Sequence, residues 1–260
     1  ETGRDYTAFH CQFHPNHLAE MIEIYSDIFT NSEFNGIELE RSIILEEYLD
    51  SVNEEGEIVD LEQLSRLLVF GKSHRLANPI LGTRESLENI TRDQLLTHFN
   101  RYYGSRNMIL TVAGQYDRLK FNHEVSEQFS RLPAGQAFQY PQVKIAGSEN
   151  RFMFAHSSSS FSVVMISVPG YGTASREYLA QLILWKVLDG GMSSELYNEI
   201  CSKRGLAYDI EIEFHSTLPV SLFEIVSSSS HENISKIVEA VREILTSLTL
   251  HGISVEDFEF

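Results

Sequence analysis

The sequence predicts an α+β fold arranged in two successive halves, and three observations carry that expectation. Strand-like runs come first and helical runs follow, and this order occurs twice along the chain. Residues 133–150 (PAGQAFQYPQVKIAGSEN) hold two Pro and two Gly with little periodicity and read as a linker between the halves. No short-period repeat is present that would suggest a solenoid or a propeller instead.

In the first half, Arg4–Phe13 alternates and is rich in aromatic residues, which predicts a strand. HPNHLAEMIEIYSDIFTN follows as a helix, with Pro15 suited to its first turn and Leu18, Met21, Ile22 and Tyr25 on its apolar face. Asp50–Gly56 reads as an acidic turn, Asp60–Phe70 as a short helix, and GKSHRLANPILG as a loop punctuated by Gly, Asn and Pro. Thr91 and Gln94 form a capping-box start for a helix running to Tyr103. Asn107–Gly114 (NMILTVAG) predicts a buried strand and Asp117–Leu132 a helix.

The second half opens with strands near Arg151–Ala155 and Ser160–Pro169, joined by a polar turn at Ser157–Ser160. Helices are predicted over Ser175–Leu188 and Ser194–Cys201, with a Gly190-Gly191 turn between them. Leu206–Phe214 and Val220–Ser227 form a strand pair, and Ile234–Leu248 an amphipathic helix.

The chain has 260 residues, 42% hydrophobic and 22% charged, as in ordinary globular proteins. Its net charge of −17 argues against a nucleic-acid backbone or an anionic membrane surface as partner, and is compatible with basic peptides. No run of about 18 apolar residues occurs, so no membrane-spanning helix is expected. Cys11 and Cys201 are too few to define a disulfide framework and leave the compartment open. His10, Cys11, His14 and His17 cluster in sequence. A strand-to-helix junction with exposed histidines accounts for them, since no second motif with zinc-ligand spacing backs the group.

Gly36–Tyr48 (GIELERSIILEEY) is the most informative stretch. It contains good helix formers throughout, and a helical wheel sets Ile37, Glu40, Ile44, Glu47 and Tyr48 on one face. Two carboxylates two turns apart on an otherwise apolar stripe leave two readings. Either the stripe is half buried and Glu47 meets water at its edge, or Glu47 ligates a metal and Glu40 supports it.

ELERSIILEE resembles the helix that carries the distal glutamate ligand in the inverted zincins: pitrilysin, the insulin-degrading enzymes and the mitochondrial processing peptidases. GKSHRLANPILG resembles that family's HPLxxPILG segment, and the order of Gly82-Thr83, Ile90-Thr91, Tyr103 and NMILTVAG is similar to the family's. DGGMSSELYNEICSKRGLAY resembles the signature of its second domain, where an Arg and a Tyr seven residues apart hold substrate and polarise its carbonyl. Tyr208 stands at the Tyr position. Cys201 occupies the Arg position, and a thiol offers no charged fork, so the Arg's role does not carry over. Tyr208 can equally be a strand tyrosine packed at a sheet edge.

The resemblance implies two similar domains, each a mixed or antiparallel sheet flanked by helices, both incomplete and together forming one half of a clamshell. Residues 1–132 would be the C-terminal part of the zinc-ligand domain, 133–150 the linker, and 151–260 the N-terminal part of the substrate-side, inactive domain. It further implies a zinc metalloendopeptidase that hydrolyses unfolded peptides in an enclosed chamber, with a glutamate as general base. Glu47 would be the metal ligand, Glu40 its support and Tyr208 a substrate or oxyanion contact. The HxxEH motif that supplies two His ligands and the base occurs nowhere in these residues, so both His are expected upstream of residue 1. The chain alone is therefore expected to be inactive and to bind no zinc tightly, one carboxylate being a weak site. The expected partners are peptide substrates and a second peptidase-family subunit, from the same chain or a paired one. The alternative within the family is a non-catalytic partner or a structural core-type subunit.

Overall fold

The computed structural model describes residues 1–140, 143, 152–156 and 159–253. Its helices and strands run α1 (Leu18–Thr30), α2 (Ile37–Leu49), α3 (Leu61–Phe70), α4 (Arg84–Asn89), α5 (Arg92–Tyr102), α6 (Arg118–Gln128), β1 (Ser162–Tyr171), α7 (Tyr178–Leu188), α8 (Glu195–Tyr197), β2 (Ile210–Ser216), β3 (Val220–Ser229) and α9 (Ile234–His251). A π-helical turn, Asn198–Lys203, continues α8. The fold is α+β, in two compact units. The first comprises Glu1–Asp50 and Pro79–Gln139, and the second comprises Ser51–Asn78 with the described residues from Tyr140 onward.

The first unit is helical. Local chemistry sets its helix starts: Thr91 and Gln94 form the reciprocal cap of α5, and Asp117 accepts the Leu119 and Lys120 amides at the start of α6. Ile22, Ser26 and Phe29 are buried on α1, and Ser26 Oγ donates to Gln128 O at 2.7 Å, tying α1 to the end of α6. Phe29 meets Phe9 edge-on and stacks on Tyr103.

Two predicted strands do not form here. Arg4–Phe13 contributes only Thr7, in a bridge with Thr2, and Asn107–Gly114 forms no β-bridge among the described residues. Ile109 is 93% exposed rather than buried. An extended apolar segment becomes a strand only when a neighbour takes its backbone groups, and no described neighbour does. Phe152–His156, which includes most of the strand expected at Arg151–Ala155, is likewise unpaired; Arg151, Ser157 and Ser158 and half of the expected linker lie outside the described residues.

The second unit holds a three-stranded antiparallel sheet in the order β1-β3-β2. One face packs on α7, α8 and α9 through Leu188, Leu196, Ile200, Ile212, Ile225, Ile237 and Val241. α3, capped by Asp60, brings Val69 and Phe70 into a smaller cluster with Ala77, Val220 and Leu222. Register sets Glu224 of β3 opposite Glu213 of β2 and Ser167 of β1. Alternation therefore aims these side chains at the same face as Leu222, away from Ile212 and Ile225.

Candidate functional site

Helix α2 begins at Gly36, whose φ of 74° is a left-handed conformation that favours glycine. Its half-buried residues are Ile37, Arg41, Ile44, Leu45 and Tyr48. Glu40 and Glu47 are both exposed, so the stripe is the half-buried one, with Glu47 meeting water, and Glu40 meets water as well. At about 100° per residue the two acids fall about 20° apart on one flank of that stripe, so they share a direction and both face water. Neither carboxylate has a side-chain partner among the described residues.

Arg41 fixes this rotation. One guanidinium nitrogen donates to the Leu87 carbonyl and another to Ile90 O at 2.8 Å, satisfying carbonyls at the C-terminal end of α4. Arg41 Nε also reaches Glu38 Oε2 at 3.1 Å, and this bond holds the Glu38 carboxyl below its ordinary value. Arg41 is itself half-buried, on the covered side with Ile37, Ile44 and Tyr48, and this leaves the acids facing out.

In the second unit, the segment from Gly190 to Tyr208 is held by Leu196 and Ile200, both fully buried in the core. Cys201 lies half-buried against that core, and burial, followed by the nearby Asp209, raises its thiol. Arg204 is engaged elsewhere: Nη2 stands 2.8 Å from Glu243 Oε2. It does not replace an arginine at position 201. Tyr208 precedes β2 and is 92% exposed, so it is not packed at a sheet edge. The α2 acids thus come together on one flank, while Cys201 and Tyr208 belong to the other unit.

The histidines near the N-terminus have local roles. His14 Nδ1 accepts the Asn16 amide at 3.3 Å, and His17 pairs with Glu20 at 2.8 Å.

A second group was not legible as a site in the sequence. Glu213, His215 and Glu224 offer ligand atoms that all lie within 4.8 Å of one another. Glu224 is fully buried. Its Oε1 accepts from Arg66 Nη1 at 2.5 Å and from Ser65 Oγ, with Ser167 Oγ at 3.4 Å. The alternation EIEFH signals that Glu213 and His215 share a face; only the strand register brings Glu224 to them.

An α+β chain with an acid-bearing helix and a glycine-rich turn leading into a β-hairpin matches two family models. Residues 1–84 match Insulinase (Peptidase family M16), and residues 89–260 match the Peptidase M16 inactive domain. The chain belongs to peptidase family M16. A protein of Rickettsia felis named "Uncharacterized zinc protease" is 27% identical over 251 residues, covering 95% of this chain and 60% of that protein. One of the same description from Bacillus subtilis is 24% identical over 262 residues, covering 99% and 62%. Among solved structures, a protease from Helicobacter pylori superposes with a TM-score of 0.79 at 19% identity, over 93% of this chain and 60% of that one. A peptidase M16 inactive domain from Pseudomonas fluorescens gives 0.78 at 20% identity, over 91% and 57%. A chain of Complex III2 from Candida albicans gives 0.74 at 15% identity, over 95% and 61%. The chain thus spans about 60% of the length of the curated relatives it matches.

Proposed function

We propose that this chain is part of a zinc metalloendopeptidase that cleaves unfolded peptides in an enclosed chamber. Glu47 supplies one zinc ligand, two His upstream of residue 1 supply the others, and Glu40 orients Glu47. The observation that carries the reading is the shared, water-facing flank of Glu40 and Glu47. Two unpaired carboxylates on a helix pinned by Arg41 are free to take a metal and its supporting hydrogen bond. When bound, zinc supplies Lewis-acid polarisation of the reacting groups. Tyr208, exposed and carrying an O–H donor, contacts the substrate or its developing oxyanion. Substrate adds as a strand to an exposed sheet edge, where backbone pairing gives affinity with little sequence preference.

A second reading is favoured by Cys201, which leaves the family's Arg position without a cation. In it the chain is a non-catalytic partner or a structural subunit, as the similarity to a chain of Complex III2 also suggests. The test is cleavage of an unstructured peptide by the longer parent protein, alone and mixed with a candidate mate. Chelator-sensitive cleavage in either assay supports the peptidase. Its absence in both supports the second reading.

A further inference from the structure

Glu213 and Glu224 lie directly opposite each other across the β2–β3 pair, where like charges repel. Glu224 is 0% exposed, so its charge gains almost nothing from water. The nearby arginine answers only part of this. Arg66 serves Glu224 Oε1 and also Glu62, at 3.2 Å, so Glu62 and Glu224 share one guanidinium, and Glu213 stands beside them with only His215 as an ion-pair neighbour among the described residues. Glu224 Oε2 is buried and accepts no hydrogen bond from any described residue.

That oxygen points toward His215 Nε2, 3.5 Å away, and His215 Nε2 is also 3.5 Å from Glu213 Oε2. Both distances exceed the ordinary N–H···O range. They match the separation of about 3.4 Å between ligands of a tetrahedral ion with bonds of about 2.1 Å. Two carboxylates and an imidazole suit zinc and similar first-row divalent ions. Calcium and magnesium prefer all-oxygen sets.

We propose that Glu213, His215 and Glu224 form a second metal site, for a zinc-class divalent ion, that fastens β2 to β3 and neutralises the buried Glu224. It is independent of Glu47 and of the family's catalytic zinc.

The experiment is calorimetric titration of the full chain, stripped with chelator, with Zn²⁺, and a parallel titration with Co²⁺ followed by its visible absorption. Glu213 and His215 are 43% and 44% exposed, so Glu213→Gln and His215→Ala should leave the fold intact by circular dichroism. The expected result is one saturable equivalent, the intense bands of tetrahedral Co²⁺, and affinity at least tenfold weaker in either variant. Glu47→Gln should bind as wild type does, and Zn²⁺ should raise the Tm of wild type but not of His215→Ala. Absence of saturable binding overturns the proposal, as does affinity retained within twofold in both variants. Loss of binding only on replacing His14 and His17 also overturns it, and would move the ion to the N-terminal histidines.

Discussion

Arg66 Nη1 lies 2.5 Å from Glu224 Oε1, with the two side chains 3% and 0% exposed. The pair joins α3 to the central strand β3, so it couples Ser51–Asn78 to the sheet of the second unit. Removing one member of a buried pair strands the other charge and costs about 3–5 kcal/mol, while replacing both with apolar residues of similar volume is often neutral or stabilising. Arg66→Met and Glu224→Gln should therefore each lower unfolding stability by about that amount in urea titrations. The double change Arg66→Met with Glu224→Leu should recover most of it. Additive losses in the double variant would show that the two side chains are not energetically coupled.

The two thiols should differ in reactivity. Thiolate is the attacking species, and burial and Asp209 push the Cys201 thiol up while Cys11 is exposed. A thiol reagent at neutral pH should label Cys11 first. As pH rises, Cys201 should catch up, because its larger protonated fraction is the one being converted. Equal labelling rates at neutral pH, read by peptide mapping, would contradict its half-buried position.

Cys201→Arg tests whether the second unit contributes half of an active site. A missing oxyanion donor costs about 10²–10³ in rate. In the longer parent with its metal helix present, restoring the arginine should raise peptide cleavage by the lone protein at least tenfold, about 1.4 kcal/mol in barrier. A parent that borrows its arginine from a mate should show little activity alone and gain it on mixing. No change in either assay would mean that the family role does not transfer to position 201.

Local chemistry made much of the helical content readable. The Thr91–Gln94 cap, the Asp60 and Asp117 caps and the apolar period of α9 act within a turn or two of chain. Asn107–Gly114 has the composition of a strand, yet forming one depends on a partner that composition does not contain. The wheel of α2 assigned Ile37, Ile44 and Tyr48 correctly to the covered side. The outward turn of Glu40 and Glu47 depends on Arg41 reaching carbonyls more than forty positions later, a tertiary fact. Glu213 and His215 were readable as neighbours on one face, but Glu224 joins them only through antiparallel register.

Glu40 separates a supporting role from a surface one. It shares a flank with Glu47 and is exposed, so Glu40→Gln should leave thermal stability within about 0.5 kcal/mol. In the longer parent it should weaken zinc affinity roughly 10–100-fold, as loss of a ligand's hydrogen-bonded support does. Unchanged affinity would leave Glu40 an ordinary surface acid.

The most direct test of the account is the catalytic zinc content of the longer parent, wild type against Glu47→Gln, measured by elemental analysis after dialysis. His215→Ala in both proteins removes the contribution of the second metal site. An amide is a poorer zinc ligand than a carboxylate, and a three-ligand site that loses one falls below the usual complement. The expected result is one zinc per chain in the Glu47 protein and a small fraction of that in the Gln variant, with peptide cleavage lost in parallel. Equal zinc and equal activity in the two proteins would contradict the assignment of Glu47 and the reading of α2 as a metal-bearing helix.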